Sequence, residues 1–230
     1  WFSGQYLRQS GSQAQQGRSQ FADDLLRVEL KAAPGAIRCN LSQIPAAAFS
    51  GCYNLVEVDV SAGERLQLIG AYAFQGCTSL TDIALDQGII TIGDYAFFEC
   101  TALKNVKFSG NLANVGKNVF KNCTSLETAI VPNGVLAIGY GMFENCVNLK
   151  NANLPDSVTT IGDLAFNNCS SLEQIIVPDS TTEVGENAFY GCSAAKSVYI
   201  GHNAEKIGKS AFGKCTSLED VEIACAMSII

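Results

Sequence analysis

Histidine is almost absent from this chain: His202 is the only one in 230 residues. A single ring cannot assemble an imidazole cluster, whether for a metal or for acid–base work. Basic clusters are lacking too. Fifteen Lys and Arg stand against 22 Asp and Glu, for a net charge of −7, and they do not gather into the patch that a nucleic-acid binder carries. No apolar run reaches the roughly 18 residues of a membrane-spanning helix. There is no C-x-x-C pair of the kind that builds a zinc site, no glycine-rich phosphate loop, and no nucleophile beside a base. The acidic residues are scattered. Neither catalysis nor a cofactor is therefore expected. The chain starts at Trp1 and not at Met, and it is expected to be a mature or truncated form.

What the sequence has is recurrence. Phe and Cys stand three apart at Phe49/Cys52, Phe74/Cys77, Phe97/Cys100, Phe120/Cys123, Phe143/Cys146, Phe166/Cys169, Phe189/Cys192 and Phe212/Cys215. From Cys77 onward the cysteines follow one another every 23 residues, after a first step of 25. A fixed period of this size marks a solenoid. Each unit buries little alone, and stacking makes one continuous core.

The rest of the unit keeps the same period. Three after each Cys comes Leu55, Leu80, Leu103, Leu126, Leu149, Leu172, Ala195 and Leu218. Six after it lie apolar residues such as Ile83, Val106, Ile175 and Val198, and eight after it Leu85, Val131, Val177 and Ile200. Positions two apart share one face of a strand. Pro132, Pro155 and Pro178 stop three of these strands. A second apolar pair follows, as in Val135/Ile138 and Val158/Ile161. Next comes a glycine (Gly93, Gly116, Gly139, Gly162, Gly185 or Gly208), expected to serve a tight turn with φ > 0.

The frame read from 149 to 172, "LKNANLPDSVTTIGDLAFNNCSSL", resembles the BspA-like leucine-rich-repeat family. The resemblance covers roughly residues 40–230. It implies a leucine-rich-repeat solenoid of short parallel strands stacked coil on coil, mostly β with short turns or 3-10 segments. It also implies a bacterial or protist surface protein that binds other proteins, often host matrix or plasma proteins, and it brings no catalytic residues. The expected location is accordingly extracellular, cell-surface or periplasmic, with adhesion as the expected role. Residues 1–20, rich in Ser, Gly and Gln, are expected to be a flexible tail. Residues 21–51 lose the phase and are expected to be an irregular N-terminal cap. The solenoid of seven to eight coils then occupies 52–230.

The recurring cysteines admit two readings, chemistry or structure. Equivalent Cα atoms on adjacent coils lie about 4.8 Å apart, within disulfide range, yet equivalent side chains point the same way. The structural reading is favoured: small buried thiols that donate S–H to turn carbonyls. Cys39 and Cys225 fall off the period at opposite ends and cannot pair within one chain. Three glycosylation sequons, at Asn40, Asn122 and Asn168, carry little weight, because two of them arise from the repeat itself.

Two outward series mark the strand face. Four after each Cys, Lys104, Glu127, Lys150, Glu173, Lys196 and Glu219 alternate in charge. Seven after it, Lys107, Ile130, Asn153, Ile176, Tyr199 and Glu222 point away from the core. Ile130, Ile176 and Tyr199, on the sheet expected to be concave, form a candidate partner-binding patch. Lys107 and Asn153 lie beside it, and Asn105, Asn151 and Gln174 supply a polar rim. The C-terminal "VEIACAMSII" ends on an apolar strand without a polar cap, so Ile223, Met227, Ile229 and Ile230 are candidate contacts for a homo-oligomer. The expected function is a protein-binding module. Its alternative is a scaffold that self-assembles through the C-terminal end.

Overall fold

A computed structural model describes residues 42–58, 66–85, 88–108 and 110–224. The expected 1–20 tail, Cys39, Cys225, Met227, Ile229 and Ile230 lie outside the described residues.

The chain is a parallel-strand solenoid, and the described residues contain sixteen strands and no helix. Each coil contributes one strand to each of two ladders. The broad ladder runs through Glu57–Val58, Asp82–Ala84, Asn105–Lys107, Thr128–Ile130 and Asn151–Asn153. It resumes at Gln174–Val177, Ser197–Ile200 and Asp220–Ile223. The narrow ladder has two-residue strands, from Gln43–Ile44 to Asn114–Val115 and from Ala137–Ile138 to Lys206–Ile207. Pairing is parallel, and from Asp82 onward its register is the 23-residue period, as in Val106↔Ala129 and Ile175↔Val198. Of the 21–51 stretch, residues 42–51 are described, and Gln43–Ile44 pairs with Leu68–Ile69 like a later coil.

The core follows from the period. The Leu row three after each Cys is buried from Leu55 to Leu172, and the inward strand residues Ile83, Val106, Ile175, Val177, Val198 and Ile200 are buried with it. The eight Phe rings form one spine. Successive rings lie nearly parallel with centroids 5.0–5.7 Å apart, in the offset-stacked range. The widest gap, 5.7 Å, is between Phe120 and Phe143. The narrow ladder is also interrupted there, between Asn114–Val115 and Ala137–Ile138. Four before the Cys, these two coils carry Val119 and Met142 where six others have Ala. The bulkier side chains are buried, and the backbone bonds across the turn, such as Phe120 N to Met142 O at 2.9 Å, keep their ordinary length.

The turn holding the spine needs two left-handed residues per coil. One is five before the Cys (Ala47, Tyr72, Tyr95, Asn118, Gly141, Leu164, Asn187, Ser210). The other immediately precedes it (Gly51, Gly76, Glu99, Asn122, Asn145, Asn168, Gly191, Lys214). All have φ between 53° and 77°. The glycine row that the sequence reading assigned to positive φ is not among them, and that expectation is corrected. Gly93, Gly116, Gly185 and Gly208 are required by space, and Gly139 and Gly162 sit in tighter than ordinary contact, with nearest atoms 3.1 and 3.0 Å from an added Cβ. A Cβ on Gly93 would lie 2.5 Å from Ala71 N, and one on Gly208 2.4 Å from Glu186 N. Each glycine lets its coil seat against the backbone of the coil before.

Among the described residues, the cysteines from Cys77 to Cys215 form no disulfide. From Cys77 to Cys215 each Sγ donates to the carbonyl of the Phe one coil earlier, at 3.1–3.4 Å. Burial pushes these thiols up, far above the usual range for Cys77 through Cys192. They are therefore protonated donors and not nucleophiles. Asn122 and Asn168 belong to a side-chain ladder: Asn145 Nδ2 donates to Asn122 Oδ1 at 2.9 Å, and Asn168 Nδ2 to Asn145 Oδ1 at 3.0 Å.

Candidate functional site

The outward face of the broad ladder is built by strand alternation. Residues six and eight after the Cys point in, so those five and seven after it point out. The register sets Lys107, Ile130 and Asn153 side by side on one stretch, and Ile176, Tyr199 and Glu222 on the next. Ile130 is 61% exposed and Ile176 54%, while Tyr199 is half-buried. Asn153 interrupts the row, so the apolar surface is two islands on one face. Asn105, Asn151 and Gln174 are exposed beside it. The middle of the face is thus uncharged amide, hydroxyl and hydrocarbon.

At the strand ends lies a cluster that the sequence reading did not foresee. Asp179 Oδ1 accepts from Tyr199 Oη at 2.8 Å, from His202 N at 3.1 Å and from His202 Nδ1 at 2.9 Å. The imidazole Nδ1 must then carry the proton. The His202 ring first, then the Tyr199 hydroxyl and the His202 amide, lower Asp179 to about 2. Donating that bond to the Asp179 carboxylate raises the Tyr199 hydroxyl. The cluster is open to solvent, and its one shared oxygen is committed to three donors. It fixes the Tyr199 side chain at the edge of the face. Among the described residues, no three His, Cys, Asp or Glu side chains gather as a metal ion would require. No helix among them is long and apolar enough to cross a membrane.

Against known families, the chain matches the BspA type leucine-rich repeat region in six copies, over residues 36–150 and 137–230. The chain belongs to that family. Among solved structures it is similar to a leucine-rich repeat protein of T. pallidum. That match has 28% identity and a TM-score of 0.55, and it covers 77% of this chain and 71% of that one. It is also similar to a leucine-rich repeat protein from Bacteroides ovatus, at 23% identity with 78% and 69% covered and a TM-score of 0.44. A leucine-rich cell surface protein from Faecalibacterium prausnitzii matches at 20% identity, with 81% and 79% covered and a TM-score of 0.38. No curated protein matches the chain.

On this BspA-type solenoid the charge series stacks as the sequence predicts. Backbone bonds link Lys104, Glu127, Lys150, Glu173, Lys196 and Glu219 coil to coil. Among these described residues, Lys150 Nζ and Glu127 Oε2 close to 3.5 Å. Both are about half exposed, so the pair adds at most about 1 kcal/mol. At the C-terminal end, Ile223 is 57% exposed whereas Ile200 one coil earlier is 3%. Val221 on the same strand and Ile207 on the narrow ladder are exposed as well.

The sequence reading passed over an apolar row immediately before the strands of the narrow ladder. Ile90, Ala113 and Leu136, each ten before a Cys, are exposed, Leu136 at 59%. The signal was available, because later coils place Thr159, Thr182 and Glu205 at this position.

Proposed function

We propose that this chain is an extracellular or cell-surface protein-interaction module that docks a protein partner on the outward face of its broad ladder. Membership of the BspA-type family supports the general class. The observation that carries the reading is the exposure of Ile130 and Ile176, at 61% and 54%, on a face whose inward neighbours are buried. Large apolar side chains held open on a rigid sheet lose little freedom on docking. Their amide rim (Asn105, Asn151, Asn153, Gln174) offers hydrogen bonds, and Lys107 adjoins Ile130 in register. The test is binding to a panel of matrix and plasma proteins, with an Ile130/Ile176/Tyr199→Ser variant alongside. Saturable binding that the variant loses without a change in melting supports the reading. Equal binding by both proteins moves the site elsewhere, and a collapsed melting curve shows that these side chains belong to the core.

A second reading is self-assembly through the C-terminal end, favoured by the exposure of Ile207, Val221 and Ile223 where earlier coils bury the same positions. Replacing those three by Ser would abolish a concentration-dependent increase in size.

A further inference from the structure

We propose that the broad-ladder face is self-complementary and that a second, antiparallel copy of this chain docks on it. The inference rests on the reading that this face is the interaction surface, and it names the occupant.

Consider a twofold axis parallel to the strands, lying between the coil of Lys150 and the coil of Glu173. It reverses the direction of the stack but keeps each row opposite itself, and both copies share the same spacing of about 4.8 Å per coil. The row four after the Cys then pairs Lys150 with Glu173, Glu127 with Lys196, and Lys104 with Glu219 of the second copy, each pair occurring twice. Every charge on six coils meets its opposite. An axis passing through a coil would set Lys on Lys and Glu on Glu, so the alternation also rejects the neighbouring registers.

Alternation within one chain would by itself explain that row. The row seven after the Cys is independent of it, since it does not alternate. The same axis places Ile130, 61% exposed, opposite Tyr199 of the second copy, and Ile176 opposite Asn153. It sets position 107, a lysine, opposite Glu222. The row between them matches amide with amide (Asn151 and Gln174) and hydroxyl with hydroxyl (Thr128 and Ser197). Asn105 meets Asp220 at the two ends of that row, and two pairings are unmatched: Ile176 lies against the Asn153 amide, and in the turn beyond the strands Asp156 meets Asp179 at the rim. Asp179 there already accepts from the His202 ring.

The contact spans about 24 Å along the stack, five spacings, and about 10 Å along the strands. That is about 240 Å² per copy, below the usual stable interface. The dimer is therefore a weak one, to be sought at tens of micromolar and low salt.

Sedimentation equilibrium of the full chain over about 5–200 µM, in about 50 mM NaCl, tests this. The wild type is expected to dimerise, with a dissociation constant that rises at least tenfold in about 500 mM NaCl. Glu173→Lys alone and Lys150→Glu alone each put like charges at both central pairs, and each is expected to weaken the dimer at least tenfold. Mixed in equal amounts they form a heterodimer in which both pairs are again opposite, restoring association to within about threefold of wild type. Melting curves of both variants confirm that the coils are intact. A wild type that stays monomeric throughout overturns the inference. So does a dimer that ignores the charge reversals, or a mixture no tighter than its components. None of these results touches the docking of a different protein on the face, which the matrix and plasma panel tests separately.

Discussion

Replacing Gly185 by alanine is expected to destabilise the solenoid by about 2–4 kcal/mol. The new Cβ would lie 2.4 Å from Asp163 N and 2.6 Å from Gly162 C. Both are backbone atoms that no rotamer change can move aside. Ordinary contact requires roughly 1 Å more, so the coil must back away from its predecessor by about that much. Three hydrogen bonds cross the junction nearby: Gly185 N to Ile161 O at 2.7 Å, Leu164 N to Glu186 O at 3.0 Å, and Glu186 N to Asp163 Oδ1 at 2.7 Å. Lengthened by about 1 Å they pass out of hydrogen-bonding range, and each is worth about 0.5–1.5 kcal/mol net. Urea unfolding followed by circular dichroism measures the loss. Gly110→Ala is the control, because a Cβ there meets nothing within 4 Å, and it is expected to change stability by less than about 0.5 kcal/mol. The space argument is refuted if Gly185→Ala unfolds at the wild-type midpoint, or if Gly110→Ala costs as much.

Phe143→Ala removes a fully buried ring from the middle of the spine, between Phe120 and Phe166. It should cost about 3–5 kcal/mol by cavity formation, read from the same urea curves; a loss below about 1 kcal/mol would show that the spine collapses to fill the gap. In an NMR pH titration the Asp179 carboxyl should titrate near 2, below the usual carboxylate range. Because the folded value is depressed, the stabilisation it brings is present above about pH 4 and lost as the pH falls through about 2. His202→Ala should move that titration back up toward about 3.9, and an unmoved titration would remove the imidazole as its main cause.

The period made much of this molecule legible. Phe143, Cys146, Leu149 and Ile161 recur at fixed offsets, and each is buried, because a solenoid repeats the same environment every coil. The reason for the glycine row was not legible. A missing Cβ serves φ > 0 and close backbone approach equally well, and only the distance to the preceding coil separates the two. The left-handed positions were half-visible. Asn and Gly mark them at Asn118, Asn122, Gly141, Asn168 and Gly191, but Tyr72, Tyr95, Leu164 and Lys214 carry no such signal. Their neighbours in the stack impose the conformation on them. On the face, alternation placed Ile130 and Ile176 outward correctly. The tie from Tyr199 to Asp179 escaped, since it joins residues 20 apart and not at the 23-residue period.

The backward reach of the thiols has a consequence for how such a chain can change in length over evolution. Each Cys from Cys77 to Cys215 needs only the Phe carbonyl of the coil before it. A disulfide-stitched array must keep its cysteines in even number, and losing one unit strands a partner. Here a duplicated or deleted block of 23 residues leaves every thiol with an acceptor. Unequal recombination can therefore lengthen or shorten the array by single coils without leaving a sulfur unpaired.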